Sequence, residues 1–79
     1  MRKKQISIIV PFETMKENIR IGEHWVRTDW TKNDKYVILA DYRYVDSQCL
    51  LLVFKDSNDY VIFRPTYNDF KYRWKKIDG

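Results

Sequence analysis

Six apolar residues follow one another at Cys49-Leu50-Leu51-Leu52-Val53-Phe54, and no other run in the chain is as long. Asp46-Ser47-Gln48 precedes this run and Asp56-Ser57-Asn58-Asp59 follows it. A short apolar run between turn clusters predicts a strand buried on both faces. Residues 36–45 and 60–64, rich in Val, Ile and Tyr, are predicted to fold back on it as antiparallel neighbours.

Two loop assumptions predict the register. With Asp46-Ser47-Gln48 as a three-residue loop, Val45 pairs with Cys49, Tyr42 with Leu52 and Ala40 with Phe54. With Ser57-Asn58 as a two-residue loop, Phe54 pairs with Val61 and Leu52 with Phe63. The two assumptions agree on the faces, which a one-residue slip would exchange. One face carries Ile38, Ala40, Tyr42, Tyr44, Leu50, Leu52, Phe54, Val61 and Phe63, and is the predicted core. The other carries Val37, Leu39, Asp41, Arg43, Leu51, Val53, Lys55, Tyr60, Ile62 and Arg64. That second face is mixed, and has to be covered or used.

The flanks are less regular. Residues 5–10 alternate loosely up to Pro11, which predicts a first, edge strand. Residues 13–18 favour one or two helical turns, with Glu13 suiting the N-terminal end of the dipole. Gly22 marks a tight reversal. From His24 to Trp30 the pattern alternates again, with Trp25, Arg27 and Asp29 on one side and Val26, Thr28 and Trp30 on the other. Thr31-Lys32-Asn33-Asp34 is a turn by composition. After Pro65 two periods overlap: Tyr67, Phe70, Trp74 and Ile77 at helical spacing, and Phe70, Tyr72 and Trp74 at strand spacing. A helical turn at residues 66–70, with Thr66 as N-cap, followed by a strand at 71–77 reconciles them. The fold class expected is mainly β: a small five-stranded antiparallel barrel with one or two short helical turns, its closure protecting the edges.

At 79 residues the chain forms one domain, with residues 1–20 as an N-terminal strand and helical turn and 21–77 as the barrel body. So short a chain buries only about 60–65% of its unfolded surface, and the 16% of aromatic residues offsets this. The net charge of +4 is terminal in origin. Arg2, Lys3 and Lys4 open the chain, and Lys71, Arg73, Lys75 and Lys76 nearly close it. Residues 5–70 hold eight basic against ten acidic residues, a net of −2, so the body offers no wide basic footprint. The apolar part of the N-terminus spans five residues, against about 7–15 in a signal peptide. A cytoplasmic protein with no membrane span is expected. Cys49 is the sole cysteine, which excludes an internal disulfide or thiolate metal cluster and suits a small core residue.

The order Ile21-Gly-Glu-His-Trp-Val, a Val-Ile-Leu strand, two hairpins, and a closing Asp69-Phe70 with Trp74 and Ile77 resembles small SH3-like barrels. It is most similar to short proteins of phages and prophages. The resemblance covers residues 21–77 through hydrophobic spacings, and residues 1–20 depart from it. It implies a binding module from a mobile element and carries over no functional residue.

Catalytic chemistry finds little to work with. His24 is the only histidine, and on a strand it points away from its neighbour Glu23. Asp41 with Arg43 reads as an ion pair, no Gly-rich phosphate loop occurs, and no metal or cofactor spacing is present. The expected function is non-enzymatic binding of a host or phage protein, with inhibition of a host system as its purpose. The surface expected to do this is the second sheet face: Leu39, Leu51, Val53, Tyr60 and Ile62 at its centre, with Asp41, Arg43 and Arg64 at its rim. The plain structural alternative is that residues 1–20 or the tail cover that face. The same strip also suits a homodimer, so the chain is expected as a monomer or a homodimer. The runner-up is a single-stranded nucleic-acid module. Lys71, Tyr72, Arg73, Trp74, Lys75 and Lys76 would then stack bases and neutralise phosphates. Its plain alternative is that Phe70, Tyr72 and Trp74 complete the core with the cations solvated outside.

Overall fold

The computed structural model describes residues 9–40 and 49–77. In chain order the elements are β1 (Ile9–Val10), α1 (Phe12–Asn18), β2 (His24–Arg27), β3 (Lys35–Leu39), β4 (Leu50–Phe54), β5 (Tyr60–Ile62), α2 (Tyr67–Lys71) and β6 (Trp74–Ile77). The strands form one antiparallel six-stranded sheet in the order β1-β6-β2-β3-β4-β5. The chain is thus mainly β, but the expected closed five-stranded barrel is corrected to an open sheet. β6 inserts between β1 and β2, so β1 and β5 become the two ends, and no pairing among the described residues joins them.

Helix α1 lies over one face. Phe12, Met15 and Ile19, at helical spacing, are buried together with Trp25, Val37 and Trp74. Glu13 in the first turn and Lys16 in the last suit the dipole. A helix this short is marginal by itself, so packing holds it. Phe12 on this helix and four further aromatic residues form one cluster. Phe12 lies 4.9 Å from Phe70 edge-on and 5.8 Å from Trp74, and Trp74 contacts Trp30 at 5.3 Å and Phe63 at 5.7 Å between ring centroids. Such tilted contacts suit the aromatic quadrupole. Gly22 turns the chain from α1 into β2 with φ +95°, a conformation that side-chain-bearing residues rarely adopt.

The register between β3 and β4 differs from the expected one and exchanges the faces of β3. Val37 pairs with Leu52 and Leu39 with Leu50, while Trp25 pairs with Val37. Val37 and Leu39 therefore stand on the core side, and Ile38 on the other. The gain is physical: Val37 becomes fully buried beneath α1 between Trp25 and Leu52. The three-residue loop at Asp46-Ser47-Gln48, together with Asp41, Tyr42, Arg43 and Tyr44, lies outside the described residues, as does most of the first predicted strand.

Between β4 and β5 the register is two residues away from expectation, so the faces survive. Leu52 pairs with Val61 and Leu51 with Ile62. Residues 55–59 make the connection in place of a two-residue loop. Asn58, with φ 60°, donates its N–H to the Phe54 carbonyl, and the Lys55 backbone N–H donates to the Asp34 carbonyl just before β3. Leu51 and Val53 are buried and Leu50 and Leu52 half-buried, which agrees with a strand covered on both faces. The C-terminal reading also holds, with a helical turn followed by a strand.

Candidate functional site

Two neighbouring regions flank one cleft. The first is the corner where α2 leads into β6. Asp69, on α2, is 4% exposed. Its Oδ2 accepts from the Thr66 backbone N–H at 2.7 Å and the Thr66 hydroxyl at 3.0 Å, closing the helix start on itself. Its Oδ1 accepts from Arg27 Nη1 at 2.8 Å, and its backbone carbonyl accepts from the Trp74 indole at 2.9 Å. Arg27 also grips Asp29 through Nε and Nη2, and its guanidinium lies 5.2 Å from the Trp30 ring centroid and 5.4 Å from that of Tyr72. Burial works against the Arg27 charge, but the hydrogen bonds and charges of Asp29 and Asp69 outweigh it and raise its pKa. Among the described residues every buried side-chain polar atom is satisfied. This corner has used its chemistry on folding.

A similar, smaller arrangement ties β2 to β6. Glu23 Oε1 accepts from the Arg20 backbone N–H at 3.0 Å and the Trp25 indole at 3.2 Å, and Oε2 lies 3.4 Å from Lys76 Nζ. Burial disfavours the Glu23 carboxylate, but these three donors outweigh it and hold its pKa below the usual glutamate value.

The second region is β5. Tyr60, Val61 and Ile62 are 61%, 50% and 55% exposed, on a strand at the end of the sheet. Between β5 and the corner opens a cleft of about 350 Å³. Trp30, Leu52, Val61, Ile62 and Phe63 line it together with Arg27, Lys35, Arg64, Thr66 and Asp69, which contribute polar groups. Lys35 Nζ stands 4.8 Å from the Trp30 ring centroid.

The expected protein-binding residues are only partly brought together. Leu39 is half-buried on the core side, separated by the sheet from Leu51, Val53, Tyr60 and Ile62, which share the opposite face. Leu51 and Val53 are buried, whereas Tyr60, Ile62 and Arg64 are exposed. Asp41 and Arg43 lie outside the described residues. Of the expected nucleic-acid residues, Lys71, Tyr72, Arg73, Lys75 and Lys76 are exposed, while Trp74 is wholly buried and offers no ring to a base. Phe70 packs on Phe12 with one side and is exposed on the other, so of the three tail aromatics only Trp74 is buried. His24 stacks on Tyr36 at 3.9 Å with ring planes 7° apart.

Sequence reasoning missed Val61, which it assigned to the core, and Lys35. Alternation tells which side a residue faces, but not whether a further strand follows to cover it. Among the described residues no cluster of three metal-ligating side chains occurs, and no helix is long and apolar enough to cross a membrane. Comparison with family models, with curated proteins and with solved structures finds no match to this chain. The residues alone carry the functional reading.

Proposed function

We propose that the chain is a non-enzymatic binding module that holds a partner protein stoichiometrically at the β5 edge. One observation carries this reading: three consecutive large apolar residues, half or more exposed, on a strand at the end of the sheet. Monomeric proteins blunt such edges with charge, proline or a covering segment, because an open apolar edge recruits other chains. Here the strand itself holds no charge, and Asp59 and Arg64 are the nearest charged residues beyond its two ends. An apolar centre with a charged rim is the ordinary anatomy of a recognition surface. The hydrophobic spacings of residues 21–77, which resemble those of small phage proteins, favour a host or phage protein as the partner, which the module inhibits or modulates. Occupying a surface with complementary charge is sufficient for that.

Affinity purification of the tagged chain from bacterial lysate, with and without nuclease and at two salt concentrations, tests the reading. Ile62→Lys is the decisive control because Ile62 is exposed, whereas a charge at the buried Leu51 would disturb the fold. The expected result is one partner protein, resistant to nuclease, captured by the wild type and lost with Ile62→Lys. Equal capture by both proteins would remove the β5 edge from the function.

A second reading has its own observation. Tyr67, Phe70 and Tyr72 are exposed beside Lys71 and Arg73, and Lys71 Nζ lies 5.6 Å from the Tyr72 ring centroid. Exposed rings among cations suit single-stranded nucleic acid. Recovery of nucleic acid that is lost steeply with salt would favour it.

A further inference from the structure

We propose that the β5 edge takes an extended segment whose residues alternate between acidic and apolar, added to the sheet as a further strand. This rests on the protein-binding reading above and specifies its ligand. Two backbone bonds fix the orientation of β5. The Phe54 N–H donates to the Asp59 carbonyl at 2.9 Å, and the Phe63 N–H donates to the Leu50 carbonyl at 2.8 Å. Backbone groups alternate in direction along a strand, so residues 59, 61 and 63 turn theirs towards β4. Tyr60 and Ile62 aim their N–H and C=O groups outwards, where no described strand meets them. These are the groups through which strand addition supplies affinity.

The side chains then select the occupant. Residues opposite one another on antiparallel strands share a face. Incoming residues level with Val61 stand over the cleft, and those level with Tyr60 and Ile62 stand over the other face. The cleft lining holds three cations, Arg27, Lys35 and Arg64, against one carboxylate, Asp69. Arg27 is already engaged by Asp29 and Asp69. Lys35 and Arg64 take part in no ion pair among the described residues. A carboxylate on the cleft side meets these two cations, while an apolar residue on the other side packs on Tyr60 and Ile62. The extended form of the ligand follows from the edge, and its alternation from the two unlike faces.

The test uses the full chain, isotope-labelled, with two synthetic peptides about ten residues long, the upper end of strand length. One alternates Glu with Val and the other Lys with Val. The Glu/Val peptide is expected to slow hydrogen exchange at the Tyr60 and Ile62 amides by about tenfold or more, and the Lys/Val peptide to leave them unchanged. Ile62→Pro deletes one outward N–H while sparing the Phe63 bond to β4, and is expected to weaken binding about tenfold. The double variant Lys35→Glu with Arg64→Glu is expected to transfer the preference to the Lys/Val peptide. Equal protection by both peptides, protection elsewhere, or no binding of the Glu/Val peptide overturns the proposal. Protection that grows with protein concentration alone also overturns it, by assigning the edge to a second copy. Lysate capture separates the two levels. A partner lost with Ile62→Lys but kept by the double variant leaves the module reading standing without this ligand. A partner kept by Ile62→Lys removes the module reading itself.

Discussion

At the α2–β6 corner, Trp74 is wholly buried, its indole N–H is bonded to Asp69, and Arg27 meets two carboxylates. At the β5 edge, across the cleft, Tyr60, Val61 and Ile62 stand half in water beside a row of backbone groups that no strand among the described residues pairs. Both regions are rich in aromatic or aliphatic surface next to cations. They differ in satisfaction: the corner's donors, acceptors and rings have partners within the chain, and the edge's outward groups have none among the described residues. An Arg among aromatics is therefore a poor guide to function until its partners are known. Arg27 has the chemistry of a recognition residue and serves the fold, whereas Ile62 has no special chemistry and is available for recognition.

Substitutions at the two regions should separate stability from binding. Trp74→Ala removes the centre of the aromatic cluster and is expected to cost about 3–5 kcal/mol in denaturant unfolding. For a chain of this size that is a large part of the total. Asp69→Ala leaves Arg27 with Asp29 alone and the N-cap Thr66 without its capping-box partner, at an expected cost of about 2–4 kcal/mol. A loss at either position below about 1 kcal/mol would mean that the corner is not the structural anchor described.

The Glu23 tie predicts a pH dependence. Its carboxyl has a lower pKa folded than unfolded, so its contribution is complete above the ordinary glutamate range. It fades as pH falls through that range and then through the lowered folded value. Glu23→Gln is expected to flatten the stability profile in this acid window and to leave it unchanged in shape near neutrality. Parallel profiles for the two proteins throughout would sink the prediction. The smallest stability effect is expected at the edge, where Val61→Lys should change unfolding by less than about 1 kcal/mol. It should nonetheless abolish partner capture, and a variant that keeps its partner would erase the contrast between the regions.

Much of the local structure was legible in the sequence. The run at residues 49–54 announced a covered strand, and Thr66 with the overlapping periods announced a helical turn before a strand, because both signals are local. The β4–β5 faces were legible too, since a slip of two residues preserves side-chain parity. The β3–β4 register was not. It depended on an assumed loop at 46–48, and packing of Val37 under α1 decided otherwise. Leu39 thereby left the predicted binding face while Tyr60 and Ile62 stayed on it. The exposure of Val61 was likewise out of reach, because alternation describes a strand and not its place in the sheet.

By itself, the amino-acid order determined which segments extend, where they turn, and that the basic charge sits near the termini, all of which depend on neighbours in the chain. The tertiary structure decided what depends on distant partners: that β6 inserts between β1 and β2, that Arg27 is consumed by Asp69, and that β5 is left at an edge. A strand's interior is written in its own residues, but its neighbours are chosen by the competition of all strands for one sheet. The candidate site is a consequence of which strand stands at the end of the sheet formed by the described residues.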